Sequence, residues 1–172
     1  RNMYAYRFDG YWKDVGTISS LWEANMEVLD PKNSGIDLFD EDWKIYSRNS
    51  GMTGHKIGSD AVIKNSMITD GCRIDGEVEH SVLFAGVKVA PGAVVKDAVV
   101  MGGTVIKPGA VVEHCIIGEN AVIGENAKIG VEKEGEDKGV ATIGPGVYVG
   151  DGATVGSNAM VRENVKDGEE EW

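Results

Sequence analysis

The chain has no long apolar run and comparatively few basic residues. No apolar stretch among its 172 residues approaches the length of a membrane span or a signal peptide. Its 17 Lys and Arg stand against 28 Asp and Glu, for a formal net charge of -11, which argues against nucleic acid or an anionic membrane as the main partner. With 42% hydrophobic residues the chain can bury a core, and we expect one compact body plus an N-terminal segment.

A regular spacing of aliphatic residues predicts the fold. From Ile57 to Val161 an aliphatic residue recurs every five or six positions, and a small side chain, usually Ala, stands two residues before each one. A helix would need apolar residues at steps of three and four, and an exposed strand would alternate strictly. The six-residue step is instead typical of a parallel β-helix, with the aliphatic column inside. The steps form coils of 17 residues, as from Val89 to Ile106, and predict roughly five to six coils around an interruption after Ile129.

Both cysteines fall in the small inward column. Cys72 and Cys115 stand about two and a half coils apart, which separates their Cα atoms by roughly 12 Å along the axis. That separation excludes a disulfide between them. Buried, unpaired thiols fit a reducing cytoplasm, and we expect neither to be a nucleophile.

Residues 1–50 do not share the repeat. Tyr4 to Phe8 alternates weakly like a strand, and Ser20-Leu21-Trp22-Glu23 has the form of a capping box. Trp22, Met26 and Leu29 then recur at helical spacing, and Asp30-Pro31 ends the predicted helix. Taken alone, the stretch between strand and helix is a turn in which Thr17 or Ser19 caps the helix and Asp14 is solvated.

Two blocks of the chain resemble one enzyme family in the expected order. The stretch from Tyr4 to Leu29, especially Gly10-Tyr11-Trp12-Lys13-Asp14-Val15-Gly16-Thr17, resembles the end of the catalytic domain of bacterial glucose-1-phosphate adenylyltransferase, also called ADP-glucose pyrophosphorylase. The coils that follow, from Gly76 onward, are similar to the C-terminal β-helix of that family. The resemblance implies a mainly β fold. A left-handed parallel β-helix of hexapeptide repeats would occupy residues 51–172, and residues 1–50 would be a short α/β segment from the end of a nucleotidyltransferase domain.

The resemblance also implies an activity and two site residues. The family joins ATP and glucose 1-phosphate to give ADP-glucose and pyrophosphate, the committing step of bacterial glycogen synthesis. Asp14 is implied as a Mg²⁺ ligand, a role that suits a carboxylate, and Trp12 as a wall of the sugar-phosphate pocket. The other catalytic parts of the family, including its Gly-rich nucleotide loop, match nothing in the chain. We therefore expect a C-terminal piece that holds no catalytic residue of its own and forms no ADP-glucose alone.

Partners follow from the same resemblance. The β-helix would pack on the chain's own N-terminal catalytic domain, support a homotetramer and help to form allosteric effector sites between the domains. A phosphorylated effector would need clustered Arg and Lys. Near the C-terminus only Arg162 and Lys166 stand among five acidic residues. The acidic C-terminus therefore argues against activation by a phosphorylated sugar, and the effector stays unknown.

Three alternatives remain open from the sequence. A hexapeptide acyltransferase would use a His at a coil corner as general base with coenzyme A. His80 and His114 occupy the same corner of their coils as Asn65 and Asp97, so that these four residues form one file along the β-helix. We interpret this file, and the charged loop from Val131 to Val140, as solvated surface. The chain could also belong to a noncatalytic regulatory subunit, or to an enzyme for another nucleotide sugar.

Overall fold

The computed structural model describes residues 2–47, 49–133 and 138–172. These residues form two helices, α1 (Ile18–Glu27) and α2 (Pro31–Ser34), and seventeen short strands. Neither described helix is long and apolar enough to cross a membrane. The strands are β1 (Lys56–Ile57), β2 (Val62–Lys64), β3 (Met67–Ile68), β4 (Arg73–Ile74), β5 (Glu77–Glu79), β6 (Val82–Leu83), β7 (Lys88–Val89), β8 (Val94–Val100), β9 (Val105–Ile106), β10 (Val111–Ile117), β11 (Val122–Ile123), β12 (Lys128–Val131), β13 (Ala141–Ile143), β14 (Tyr148–Val149), β15 (Thr154–Gly156), β16 (Met160–Val161) and β17 (Glu170–Glu171).

The strands stack in parallel into a solenoid with three faces. The first face is the file β1-β4-β7-β9-β11-β14, and the second is the file β2-β5-β8-β10-β12-β15-β17. The third face runs through β3, β6, the ends of β8 and β10, β13 and β16. Strands β8 and β10 belong to two faces because each bends at a residue with positive φ, Asp97 or His114. The predicted parallel β-helix of hexapeptide repeats is confirmed, while the left hand of the coil rests on the resemblance and stays a prediction.

The strand register gives the length of each coil. Ile106 lies beside Val89 and beside Ile123, so both coils advance 17 residues, as predicted. The coil from Ile74 to Val89 is shorter, at 15 residues. The coil from Ile123 to Val149 is longer, at 26 residues, because it contains the predicted interruption.

The interruption is only partly described. Of the charged residues that we expected to be solvated there, Glu134, Glu136 and Asp137 lie outside the described residues. Lys138 and Glu132 form an ion pair of 2.7 Å on the exposed surface. This pair agrees with the interpretation of the loop as charged surface.

The aliphatic column fills the interior of the solenoid. Its largest members are completely or almost completely buried, namely Ile74, Leu83, Ile106, Ile117, Ile123, Ile129 and Ile143. The first coil differs, because Ile57 is 40% exposed and Ile63 is 36% exposed. None of the described strands lies over β1 or β2 on that side, so the solenoid has an open N-terminal end.

The solenoid continues beyond Val161, the last residue of the regular aliphatic spacing, within the range of residues 51–172 expected for it. Val165 is buried and bridges to Val149, and strand β17 places Glu171 beside Val155. The seven strands of the second face make about seven coils, so the prediction of five to six is wrong. At the last position of the column Glu171 replaces an aliphatic residue, because a carboxylate at the exposed end of the stack can reach water.

The N-terminal segment confirms the predicted helix but not the predicted strand. The residues from Tyr4 to Phe8 are exposed and form no strand, and none of the described strands lies beside them to accept their hydrogen bonds. The capping box at Ser20 to Glu23 is also wrong. Helix α1 is capped by Thr17, whose Oγ1 accepts from the Ser20 backbone N–H, while the Ser20 hydroxyl accepts from the Thr17 N–H. The domain boundary between residues 50 and 51 stays a prediction.

Candidate functional site

The segment of residues 10–17 is held against helix α1 by two side chains. The Tyr11 hydroxyl donates to Glu27 Oε2 at 2.6 Å. Lys13 Nζ donates to Glu23 Oε2 at 2.8 Å and to Glu27 Oε1 at 2.6 Å. Glu23 and Glu27 are four residues apart and share one face of the helix. Lys13 therefore bridges a helical turn and fixes the segment to it.

These contacts change the pKa of the groups that make them. The hydrogen bond to Glu27 raises the pKa of Tyr11, and the hydrogen bonds to Glu23 and Glu27 raise the pKa of Lys13. The hydrogen bond from Lys13, followed by that from Tyr11, lowers the pKa of Glu27. Near neutral pH a protonated Lys13 therefore faces an ionised Glu27, and Tyr11 is a neutral donor.

The alternate residues of the segment, Trp12 and Asp14, are exposed. The Trp12 side chain is 77% exposed. Asp14 Oδ1 accepts from the Gly16 N–H at 3.2 Å, which closes a small turn before the helix. The two predicted site residues thus lie two positions apart, and both are open to solvent. Their roles in binding sugar phosphate and Mg²⁺ stay predictions.

Asp14 fits a magnesium ion as one ligand of several. Its carboxylate is exposed, and the Gly16 N–H occupies only one of its oxygens. Within residues 2–47, 49–133 and 138–172, no group of three His, Cys, Asp or Glu side chains could hold a metal ion. Mg²⁺ is commonly bound by one or two protein carboxylates together with phosphate oxygens and water. Asp14 would therefore need a bound phosphate compound to complete such a site.

Helix α1 docks on the third face of the solenoid. Its Met26 is buried in a cluster with Val82, Val99 and Ile116, each of which directly precedes a member of the inward aliphatic column. Some positions of this kind on the other faces carry a charged residue, as at Arg73, Lys88 and Lys128, and others carry valine. The sequence analysis missed this docking surface. No sequence signal marked it, because apolar pairs such as Val82-Leu83 on this face also occur on the other faces, as at Val105-Ile106 and Val111-Val112.

Trp22 fixes α1 at the corner between the second and third faces. Its indole Nε1 donates to the backbone carbonyl oxygen of Asp97 at 2.7 Å. Its ring meets the His114 ring edge to face, with centroids 4.3 Å apart and planes at 60°. On the same corner His80 Nδ1 lies 2.7 Å from Asp97 Oδ1. Trp22 therefore contacts two successive coils.

The corner file is aligned as predicted, but its interpretation as solvated surface is wrong in part. Asn65, His80, Asp97 and His114 all have positive φ and follow one another from coil to coil. Asn65 is exposed, whereas the other three are half-buried. Trp22 of α1 covers Asp97 and His114. Burial, followed by the charge of Lys138, lowers the pKa of His114.

The two thiols are buried and unpaired, as expected. Burial is the main cause that raises the pKa of Cys72 and that of Cys115. A protonated, buried thiol is a poor nucleophile. The prediction that neither Cys belongs to a reactive site therefore agrees with their surroundings.

Comparisons with known proteins match both parts of the chain. A family model described as GlmU-like, C-terminal hexapeptide matches residues 50–150, and one described as Nucleotidyl transferase matches residues 1–31. The glucose-1-phosphate adenylyltransferase of Clostridium perfringens (strain SM101 / Type A) is 54% identical over 101 residues, which are 59% of this chain and 26% of that protein. The protein of the same name from Geobacillus stearothermophilus is 53% identical over 93 residues, 54% of this chain and 24% of that protein.

A third relative has similar coverage. The glucose-1-phosphate adenylyltransferase of Clostridium beijerinckii is 50% identical over 97 residues, 56% of this chain and 25% of that protein. The chain thus spans about a quarter of the length of these relatives. The expected resemblance to glucose-1-phosphate adenylyltransferases is confirmed over this part of the chain.

The two family models match different elements of the structure. The match over residues 1–31 contains Trp12, Asp14 and helix α1, and the match over residues 50–150 contains the coils from β1 to β14. Because the second match covers more than half of the sequence and the strands form the expected solenoid, the chain belongs to the family described as GlmU-like, C-terminal hexapeptide.

Proposed function

We propose that the chain is the C-terminal part of a glucose-1-phosphate adenylyltransferase, which converts ATP and glucose 1-phosphate to ADP-glucose and pyrophosphate for glycogen biosynthesis in the cytoplasm. One observation carries this proposal. A nucleotidyl transferase match over residues 1–31 is followed by hexapeptide coils, in a chain 50% to 54% identical to proteins of that name over more than half of its length.

In this proposal the segment of residues 10–17 belongs to the catalytic site of the longer protein. Asp14 would supply one carboxylate ligand to Mg²⁺, which when bound neutralises charge on the reacting phosphates. The exposed Trp12 ring would lie beside the sugar phosphate. Tyr11 and Lys13 hold the segment on α1 through Glu23 and Glu27. The chain's own contribution is therefore to present one ligand and one ring from a fixed backbone.

The solenoid would serve assembly and regulation. Its open end exposes Ile57, Val62 and Ile63, together with the unpaired edges of the first coil. Covering such an edge with a domain or a subunit removes an aggregation liability. We propose that the catalytic domain and neighbouring subunits of a homotetramer provide this cover, and that allosteric signals reach the catalytic site through the solenoid.

The test is an assay of the full-length protein that contains this chain. Formation of ADP-glucose from ATP and glucose 1-phosphate, faster than with other pairs of nucleotide and sugar phosphate, would support the proposal. The 172-residue chain alone is expected to be inactive. A faster rate with another pair would reassign the substrate, and absence of activity with every pair would favour a regulatory subunit. Calorimetric binding of coenzyme A would favour the acyltransferase instead.

A further inference from the structure

A continuous set of contacts joins the solenoid to the segment that carries Asp14. It begins at Asp97, whose backbone oxygen accepts from Trp22 Nε1 at 2.7 Å. It continues along α1, where Glu23 directly follows Trp22 and Glu27 lies one helical turn after Glu23. It ends at Lys13, which both carboxylates bind at 2.8 and 2.6 Å. Asp14 is the next residue along the chain.

The contacts of α1 with the solenoid differ in how strictly they fix the helix. Met26 packs among Val82, Val99 and Ile116, and apolar packing of this kind has no preferred direction. The indole N–H of Trp22 instead requires one acceptor at one distance and angle. The backbone bends at Asp97, where φ is 48°, so the acceptor lies at a stacked corner. Trp22 therefore fixes the rotation of α1 about its own axis and the position of α1 along the solenoid, both of which apolar packing alone would leave less defined.

We infer that Trp22 is a positioning residue for the reaction, and that the hydrogen bond from its indole to the Asp97 carbonyl sets where Asp14 stands relative to the solenoid. The inference rests on the proposed function. Misplacement of a reacting group by about 1 Å can cost a hundredfold in rate. A ligand on a segment of eight residues tied to a ten-residue helix is sensitive to small shifts of that helix.

The test uses Trp22→Phe in the full-length protein. This substitution keeps an aromatic ring against His114 and removes the indole donor. Its matched control is Trp172→Phe, which removes an indole donor to Glu170 Oε2 at the last coil of the solenoid. We expect Trp22→Phe to lower kcat and to raise the Mg²⁺ concentration for half-maximal rate, each by about three- to tenfold, the worth of one hydrogen bond. The KM for glucose 1-phosphate should change less than kcat, and Trp172→Phe should behave as wild type.

Hydrogen exchange provides a readout that does not depend on activity. In Trp22→Phe the amides of residues 10–17 should exchange faster, while those of β8 and β10 keep their wild-type rates. A double-mutant cycle with Glu27→Gln should give a combined loss of kcat smaller than the product of the two single losses, because both changes release the same segment.

Several results would overturn the inference. Wild-type kcat and Mg²⁺ dependence in Trp22→Phe would do so, as would faster exchange along the whole solenoid, which would indicate a general loss of stability. If the wild-type protein forms no ADP-glucose, the proposed function fails. Hydrogen exchange of residues 10–17 alone then decides whether Trp22 positions the segment. Unchanged exchange in residues 10–17 would then exclude it.

Discussion

In residues 11–14, alternate side chains have different roles: two hold the segment on α1 and two face solvent. Tyr11 and Lys13 bind carboxylates of α1, whereas Trp12 and Asp14 are exposed. The sequence pointed to Trp12 and Asp14 through a family resemblance. It did not indicate the partners of Lys13, because Glu23 and Glu27 stand ten and fourteen residues away and meet it only once the segment folds back on the helix.

Asp14→Asn in the full-length protein is expected to lower kcat about a hundredfold or more, because a neutral amide is a much weaker ligand for Mg²⁺ than a carboxylate. It should also raise the Mg²⁺ concentration needed for half-maximal rate. The measurement is the rate of pyrophosphate release at graded MgCl₂. Asp9→Asn is the control, since Asp9 is exposed and pairs with the exposed Arg7, and it should keep the wild-type rate. Full activity in Asp14→Asn would remove Asp14 from the site.

His114 is expected to make the protein less stable as the pH falls. Burial and Lys138 lower its pKa below 6.5 in the native state, although Asp97 and Glu132 act in the opposite direction. Below about pH 6.5 the unfolded chain therefore binds more protons than the native one. The free energy of unfolding should decrease through this window and level off below the native pKa, as measured by denaturant unfolding at several pH values.

Two substitutions test this pH dependence, one at His114 itself and one at the exposed His55 as its control. His114→Gln should flatten the decrease, whereas His55→Gln at an exposed position should leave it unchanged. Identical slopes for wild type and His114→Gln would contradict the prediction.

Among the strands, the sequence predicted the repeat and the interruption after Ile129, but not the register shift inside β12. The six-residue step gave the register of β7, β9 and β11 correctly, because neighbouring coils repeat the same local pattern. Strand β12 instead has a register shift between Ile129 and Val131. At that point Gly130 has a φ of 82°, and a Cβ there would overlap the carbonyl of Glu113.

Gly130→Ala is expected to lower the free energy of unfolding by about 2 to 4 kcal/mol, since both the φ and the close carbonyl exclude a side chain. Gly152→Ala is the matched control. Its φ is 69° but nothing lies within 4 Å of an added Cβ, so it should cost only about 1 kcal/mol. Denaturant unfolding of both variants measures the difference, and equal losses would show that the carbonyl contact does not matter.

For the molecule as a whole, the open first coil is the surface that a partner is expected to cover. Val62→Glu in the full-length protein should lower the Tm by several degrees, because a buried carboxylate without a partner is destabilising. Val62 is 44% exposed in this chain and Met160, near the other end, is 53% exposed. Met160→Glu is therefore the control and should change the Tm little. A larger effect at Met160 would place the covered surface at the C-terminal end.

The fold class and the interior of the solenoid follow from the sequence because each coil repeats a local rule: an aliphatic residue inside, a small one two positions before it, and residues that tolerate positive φ at the corners. Long-range contacts follow no such rule. The hydrogen bond from Trp22 to Asp97 joins residues 75 positions apart, and the Lys13 cluster forms only when the segment lies on α1. These contacts depend on how the helix docks, and docking is set by the outward face of folded coils, which exists only once the three-dimensional structure has formed.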